Sequence, residues 1–206
     1  MNLEPFFRAY QVISENETEI PQFPEWVSDD DDFREFITSY GGKSFNQGIY
    51  RVIKASHLSE IREKMEKIFP ELTGQLMPFG YDWMGRFFAV DLKPEGDSPE
   101  ILMLEIGTGD SYIIPGTIET FHNNDLVNHP NESLALKLWK KWQKTAPAPL
   151  ENWQCVGYKI PLFLGGYDKI SNLEVSDLAV YLEICGQLLE KTRHLPEGTP
   201  VNFSLQ

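Results

Sequence analysis

Apolar residues recur every three or four positions in several stretches of the chain, which is the spacing of a helix with one buried face. Phe33, Phe36, Ile37 and Tyr40 show this spacing most simply, and the glycine pair 41–42 ends that helix. Residues 123–131 lack the pattern and are predicted to form a loop. The same spacing predicts helices over residues 3–14, 56–69, 132–145 and 176–195, and a short helical segment over residues 117–121.

Three strand candidates follow one another between residues 86 and 115. The segments 86–92, 100–106 and 111–115 are rich in β-branched and aromatic residues, and short polar turns with Gly or Pro join them. This arrangement predicts an antiparallel meander that begins at residue 86. Further strands are predicted at residues 48–53 and in the apolar run 156–166, which Pro161 interrupts.

The segment that leads into the meander is predicted to be a turn. Gly80 and Gly85 bracket the residues Tyr81-Asp82-Trp83-Met84, and Arg86 follows with a charge opposite to that of Asp82. One interpretation is a packed turn. The other is an exposed surface for a protein partner, because Trp, Tyr and Arg dominate binding hot spots. The predicted partner contacts here are Tyr81, Asp82, Trp83 and Arg86.

These elements predict an α+β fold in which helices flank a central, largely antiparallel sheet. The segment Ala146-Pro147-Ala148-Pro149 has linker composition and marks the predicted internal boundary. Residues 1–145 are then the main α+β domain. Residues 146–206 are a C-terminal strand-plus-helix extension that packs on that domain and is not an independent unit.

The chain of 206 residues carries a formal net charge of −13. A chain this acidic is not expected to bind nucleic acid non-specifically, because phosphate binding needs a Lys/Arg surface, and its field favours basic protein partners. Four consecutive aspartates precede the helix that contains Phe33. They suit a helix N-terminus, and Asp29, Asp30 and Asp31 are alternatively a partner-binding acidic patch.

The chain has two cysteines, no signal-peptide pattern at its first residues and no apolar run of about 18 residues. These features predict a cytoplasmic protein without a disulfide framework or a membrane span.

No motif for catalysis, for a cofactor or for a metal is present, and none of these sites is predicted. His122 and His129 are seven residues apart near Asp125, which is a poor spacing for metal ligands. A hydrolase that uses Asp82, Asp91 or Glu105 remains an alternative, since paired carboxylates catalyse glycoside hydrolysis when they meet in a cleft. A third alternative is a ligand sensor whose groove contains Tyr81 and Trp83.

Three stretches of the chain resemble a known family. Residues 36–51, a helix followed by Tyr-Gly and a strand, resemble the entry of the SUKH superfamily and of the related GAD-like domains. The meander is similar to the central strands of those proteins. Residues 157–166, 172–177 and 186–189 resemble a C-terminal extension of type VI secretion immunity proteins.

The resemblance implies a non-enzymatic α+β module that binds another protein. Members of the family are largely immunity proteins that block a cognate bacterial toxin, and others are regulators. The charge of −13 is compatible with a basic toxin such as a nuclease. The family has no catalytic motif to transfer, and no site residue is assigned from it.

Overall fold

A six-stranded antiparallel sheet, with its strands in sequence order β1 to β6, forms the centre of the fold. The computed structural model describes residues 1–13, 21–27, 30–145, 149–196 and 199. A separate pair, β7 and β8, lies near the C-terminus. The strands are β1 Ser44–Phe45, β2 Tyr50–Val52, β3 Leu76–Asp82, β4 Phe87–Asp91, β5 Glu100–Glu105, β6 Asp110–Pro115, β7 Gln154–Tyr158 and β8 Leu173–Asp177.

Helices flank the sheet, as predicted, and the fold is α+β. The described helices are α1 Glu4–Ala9, α2 Asp31–Tyr40, α3 Leu58–Ile68, α4 Ile118–Thr120, α5 Leu126–Asn128, α6 Pro130–Leu134, α7 Leu136–Trp142 and α8 Leu178–Thr192, with a π-helical turn at Phe121–Asp125. None of the helices in the described ranges combines the length and apolarity needed to cross a membrane.

The sheet has two covered faces. Phe87 and Phe88 are neighbours on β4, so their side chains point to opposite faces. Phe88 packs against Phe121 at 4.8 Å between ring centroids, on the face that α2 and the π-helical turn cover. Phe87 stacks on Tyr81 at 5.4 Å, on the face that meets α3 and α8.

The meander is confirmed, but the prediction that it begins at residue 86 is wrong. Strand β3 precedes it and pairs with β4 from Leu76 to Tyr81, with a bulge between Pro78 and Gly80. Pro78 cannot donate a ladder hydrogen bond, and a bulge accommodates it. A Cβ at Gly80 would lie 2.5 Å from the Tyr50 hydroxyl, so glycine here makes room for a ring. Pro78 and Gly80, which usually indicate a turn, therefore lie inside strand β3.

Two further predictions were wrong between residues 123 and 145. The predicted loop is helical through the π-helical turn, α5 and α6. The single helix predicted over residues 132–145 breaks at Ala135, whose φ of 49° is left-handed. Pro130 starts α6 because its fixed φ suits a first helical turn.

The C-terminal extension contains β7, β8 and α8, which confirms the predicted strand and helix and adds a second strand. Its backbone is hydrogen-bonded to the main sheet region from Leu150 N to the Gln47 carbonyl (3.1 Å), from Val156 N to the Trp83 carbonyl (2.7 Å) and from Leu162 N to the Gly107 carbonyl (2.8 Å). The boundary at residues 145 and 146 stays a prediction, and residues 146–148 lie outside the described residues.

Candidate functional site

The turn predicted to be exposed, Tyr81 to Arg86, is buried. Trp83 has no exposed surface, and Asp82 is fully buried as well. The Trp83 indole donates a hydrogen bond to the Leu134 carbonyl (2.8 Å) and packs 5.1 Å from the Trp139 ring. The prediction of exposure is therefore wrong, and the alternative of a packed turn describes this segment. Its four predicted partner contacts lose the exposure on which that prediction depended.

An ion pair holds the inside of this turn together. The turn between Asp82 and Arg86 has three residues and ends at Gly85, whose φ is 74°, the glycine position of such hairpins. The Asp82 carboxylate accepts hydrogen bonds from the backbone N–H of Met84 (2.9 Å) and of Arg86 (3.0 Å). It also accepts one from the Arg86 Nε (2.7 Å). The guanidinium donates further to the Ser133 carbonyl (3.1 Å).

The charges of this ion pair are coupled through burial. Burial raises the pKa of the Asp82 carboxyl, and the adjacent guanidinium opposes that rise. Burial lowers the pKa of Arg86, but the charges of Asp82 and Glu105 outweigh it and leave that pKa above its ordinary value. Arg86 therefore remains a cation that neutralises buried acids.

The carboxylates of the hydrolase alternative do not meet in one cleft. Glu105 faces Arg86 at 3.8 Å, on the same cation that binds Asp82. Asp91 pairs with Leu76, four residues along β4 from Phe87, which places it roughly 13 Å away along the strand. Asp82 and Glu105 share a structural cation, and Asp91 lies at the other end of the strand.

His122 is a core residue. Its Nδ1 lies 2.7 Å from the Ile118 carbonyl, so Nδ1 carries the proton and Nε2 accepts from the Tyr50 hydroxyl at 2.9 Å. Burial lowers the pKa of His122 to about 4. Both ring nitrogens are thus engaged, while His129 is exposed. Among the described residues, no three His, Cys, Asp or Glu side chains form a group suited to a metal ion.

The acidic run before α2 is partly explained by helix capping. The Asp30 carboxylate accepts a hydrogen bond from Phe33 N (3.0 Å) as the N-cap residue. Asp31 is exposed in the first turn, and Asp29 lies outside the described residues. Partner contact by these aspartates stays a prediction.

An open groove of about 350 Å³ lies between α3 and the start of the C-terminal extension. We call it the Trp153 groove. Its mostly buried apolar lining is Val52, Ile53, Ile61, Tyr81, Leu178 and Leu182, and its polar or exposed rim is Lys54, His57, Glu60, Lys64, Asn152, Trp153 and Asp177. Tyr81 is thus the one predicted contact residue, among those described, that borders this groove. Trp83 does not border it, so Tyr81 alone of the two aromatics named for a ligand groove lines this one, and ligand sensing stays a prediction.

Trp153 lies in a turn whose backbone carbonyls accept hydrogen bonds from residues elsewhere in the chain. Arg51 Nη1 donates to the carbonyls of Glu151 (2.8 Å) and Gln154 (2.6 Å). The Tyr81 hydroxyl donates to the Asn152 carbonyl (2.8 Å), and Leu178 N donates to the Trp153 carbonyl (2.8 Å). All four carbonyls of residues 151–154 are therefore fixed, while the Trp153 side chain is 59% exposed.

The cation under this turn is unusual because Arg51 is completely buried. Its guanidinium lies 4.6 Å from the centroid of the Tyr81 ring and donates to the Asp82 carbonyl (3.1 Å). Burial lowers the pKa of Arg51 from its ordinary value. Backbone carbonyls and a π face thus stabilise its charge, and they fix the turn in return.

A second groove, of about 490 Å³, continues from the first between α3 and α8. We call it the α3–α8 groove. It shares Glu60, Lys64 and Leu182 with the Trp153 groove. The two helices approach closely where Gly186 faces Ile68, since a Cβ there would lie 3.1 Å from Ile68 Cγ1. Its remaining lining residues are Glu63, Lys67, Glu183, Gln187 and Glu190.

Exposed apolar surface is concentrated in the C-terminal extension. Of the twelve large hydrophobic side chains that are exposed in the described residues, seven lie between residues 153 and 195. They are Trp153, Ile160, Tyr167, Val175, Val180, Ile184 and Leu195. Trp153 is the one of these seven that borders a groove, and an exposed apolar side chain beside a groove is a candidate for partner contact.

Sequence reasoning missed Trp153 and Arg51. Trp153 follows the linker-like residues and precedes a strand, so no periodicity marks it. The available signal was a tryptophan among polar neighbours, Glu151, Asn152 and Gln154, which is typical of an exposed aromatic. Arg51 lies in an apolar strand, where a cation needs a partner, and that partner is distant in sequence.

Comparisons with known proteins match both parts of the chain. Residues 30–124 match the model of the SMI1/KNR4 family (SUKH-1), and residues 131–189 match that of the T6SS immunity protein Tdi1, C-terminal. The crystal structure of Atu4351 from Agrobacterium tumefaciens is similar over 90% of this chain and 89% of that one, with a TM-score of 0.64 and 14% identity. That likeness shows the fold alone. No curated protein matches the chain. The Trp153 groove lies where the two matched segments meet.

Proposed function

We propose that this chain, which matches the models of the SUKH-1 family and of a type VI secretion immunity protein, is an immunity protein that binds and blocks a cognate toxin in the bacterial cytoplasm. The observation that carries the proposal is the match of residues 131–189 to the C-terminal region of a type VI secretion immunity protein. The same segment holds six of the twelve exposed large hydrophobic side chains of the described residues, Trp153 among them. Matched segment and exposed apolar surface therefore coincide.

The charge of the chain supports a basic toxin, such as a nuclease. A net charge of −13 attracts a positively charged partner and accelerates their encounter. The attraction is screened by salt, so the association rate constant falls steeply as ionic strength rises.

The direct test is co-expression of this chain with the product of the adjacent gene. We expect the two proteins to co-purify, and we expect this chain to rescue cells from that product. A 1:1 complex measured by calorimetry supports the proposal. Absence of both rescue and binding at low salt contradicts it.

Stoichiometry separates a binder from an enzyme that destroys the toxin. A binder inhibits only when it is present in amounts equal to the toxin. We expect toxin activity to fall linearly and reach zero near a molar ratio of one. Complete inhibition by a small fraction of this chain would instead indicate catalysis.

A second candidate function is the sensing of a small apolar ligand. The Trp153 groove, with about 350 Å³ and an apolar lining that includes Tyr81, falls within the size range of ligand sites. A thermal-shift screen of aromatic and aliphatic compounds tests this candidate. A ligand that raises the melting temperature of the wild-type chain but not of a Trp153→Ala chain would favour it.

A further inference from the structure

We propose that the Trp153 groove and the α3–α8 groove together bind one segment of the toxin, in which a large apolar side chain is followed by Lys or Arg residues. This inference rests on the proposed function and names the surface and the chemistry of its partner.

The apolar end supplies the anchor point. Trp153 projects beside buried Leu178 and Leu182, and its own backbone is fixed by Arg51 and Tyr81. Because the backbone of this turn is already fixed, covering Trp153 costs the conformational entropy of its side chain alone. Tryptophan is also among the residues that most often dominate binding energy.

The other end is acidic after its internal ion pairs are subtracted. Lys64 binds Glu60 (2.6 Å) and Lys67 lies 3.8 Å from Glu63. Within the described part of the chain, no salt bridge involves Asp177, Glu183 or Glu190. Glu183 and Glu190 line the α3–α8 groove, where Glu183 also accepts a hydrogen bond from Gln187 Nε2 (2.7 Å). Asp177 lines the Trp153 groove and caps α8 through Val180 N (3.0 Å). Each carboxylate has further lone pairs for a cation of the partner.

The spacing of the carboxylates sets the length of the segment. Glu183 and Glu190 are seven residues apart on α8, so they lie on one helix face, roughly 10 Å apart. From Ala179 to Glu190 the groove follows α8 for roughly 16 Å. Basic groups about 10 Å apart, preceded by one apolar anchor, complement this surface.

The alternative occupants fit less of the surface. A small apolar molecule uses only the Trp153 end and leaves the carboxylates without a partner. A second copy of this chain carries the same net charge of −13 and presents like charges to the acidic end. A basic protein segment is the one occupant that uses both ends.

The test measures the affinity of an inactive form of the adjacent gene product for variants of the full chain. We expect Trp153→Ala to weaken the complex by roughly 30-fold, a typical hot-spot loss. Tyr167→Ala is the matched control, because Tyr167 is 71% exposed on the same extension and lies outside both grooves. Circular dichroism checks that both variants remain folded.

The acidic end is tested by charge reversal. We expect the double variant Glu183→Lys and Glu190→Lys to slow association by about tenfold at low salt, and less at high salt. Glu174→Lys removes the same kind of exposed charge outside both grooves, and a single reversal there changes the rate far less.

Each outcome decides a separate point. If the wild-type chain does not bind the product, the proposed function fails. If it binds and Trp153→Ala binds equally well, the function stands and this surface is wrong. A wild-type dimer that Trp153→Ala converts to monomer also overturns the inference, since the groove is then a self-interface. Greater loss with Tyr167→Ala than with Trp153→Ala places the toxin elsewhere on the extension.

Discussion

Two tryptophans of this chain stand on turns that an arginine stabilises, yet one turn is buried and the other exposed. Trp83 lies in the turn held by Arg86 and has no exposed surface. Trp153 lies on the turn held by Arg51 and is 59% exposed. In the first turn the arginine neutralises a buried carboxylate. In the second its hydrogen bonds go to backbone carbonyls, which leaves the Trp153 side chain free to face solvent.

The difference separates a residue that builds the fold from one that is available to a partner. Trp83 joins three parts of the chain, through the Ile49 carbonyl, the Leu134 carbonyl and Val156 N. The Trp153 side chain borders a groove, and its backbone alone is fixed by the core. Mutations at the first turn should therefore change stability, and mutations at the second should change binding.

The largest effect is expected at Arg86. Arg86→Met removes the cation that faces Asp82 and Glu105 and leaves buried carboxylates uncompensated. Breaking a buried pair in this way costs about 3–5 kcal/mol of unfolding free energy. Urea denaturation at pH 7 measures the loss.

The matched control is Arg8→Met, since Arg8 pairs with Glu4 at the same sequence spacing on an exposed helix. An exposed pair of this kind contributes about 0.5 kcal/mol or less. Equal losses for the two variants would show that burial does not set the strength of these pairs.

The second largest effect is expected at Trp83 itself. Trp83→Phe keeps an aromatic ring but leaves the Leu134 carbonyl without its donor and opens space beside Trp139. The combined loss is about 2 kcal/mol in unfolding free energy. Affinity for the proposed toxin, measured on the folded fraction, should stay unchanged. A large affinity loss at constant stability would return Trp83 to the contact surface.

The meander was predictable because each of its strands is continuous and each turn carries Gly or Pro. The same signals misled at β3, where Pro78 and Gly80 lie inside a strand. Local propensity could not reveal that a bulge accepts the proline and that the Tyr50 ring occupies the space above the glycine. Both causes are contacts with neighbouring strands.

Exposure of the candidate site was harder to predict than the fold. The sequence around Trp83 contains Asp82 and Arg86, which suggested solvent, but the two charges satisfy each other inside the core. Trp153 became a site residue through Arg51, which is 102 positions away in the chain. Charge pairs and long-range clamps of this kind leave no periodic signal in one sequence.

A smaller effect on stability is expected when the clamp under Trp153 is removed. Arg51→Met abolishes the hydrogen bonds to the Glu151, Gln154 and Asp82 carbonyls. The carbonyls lose their donors, but loss of a buried cation relieves its desolvation, so the net cost is about 1–2 kcal/mol. The Trp153 turn should nevertheless loosen, and toxin affinity should fall. Hydrogen exchange of residues 151–154 measures the loosening, and unchanged exchange would contradict the clamp.

The smallest effect on stability is expected at Trp153. This variant gives the most direct comparison between the exposed tryptophan and the buried Trp83. Trp153→Ala removes a side chain that is 59% exposed and makes no hydrogen bond in the described structure through its indole, so unfolding free energy should change by no more than about 0.5 kcal/mol. Trp83→Ala, with the same chemical change in the core, should cost about 3–5 kcal/mol. Parallel urea titrations of the two alanine variants measure the difference. Similar losses would mean that Trp153 is a packing residue, because a side chain kept for a partner contributes little to the stability of the free chain.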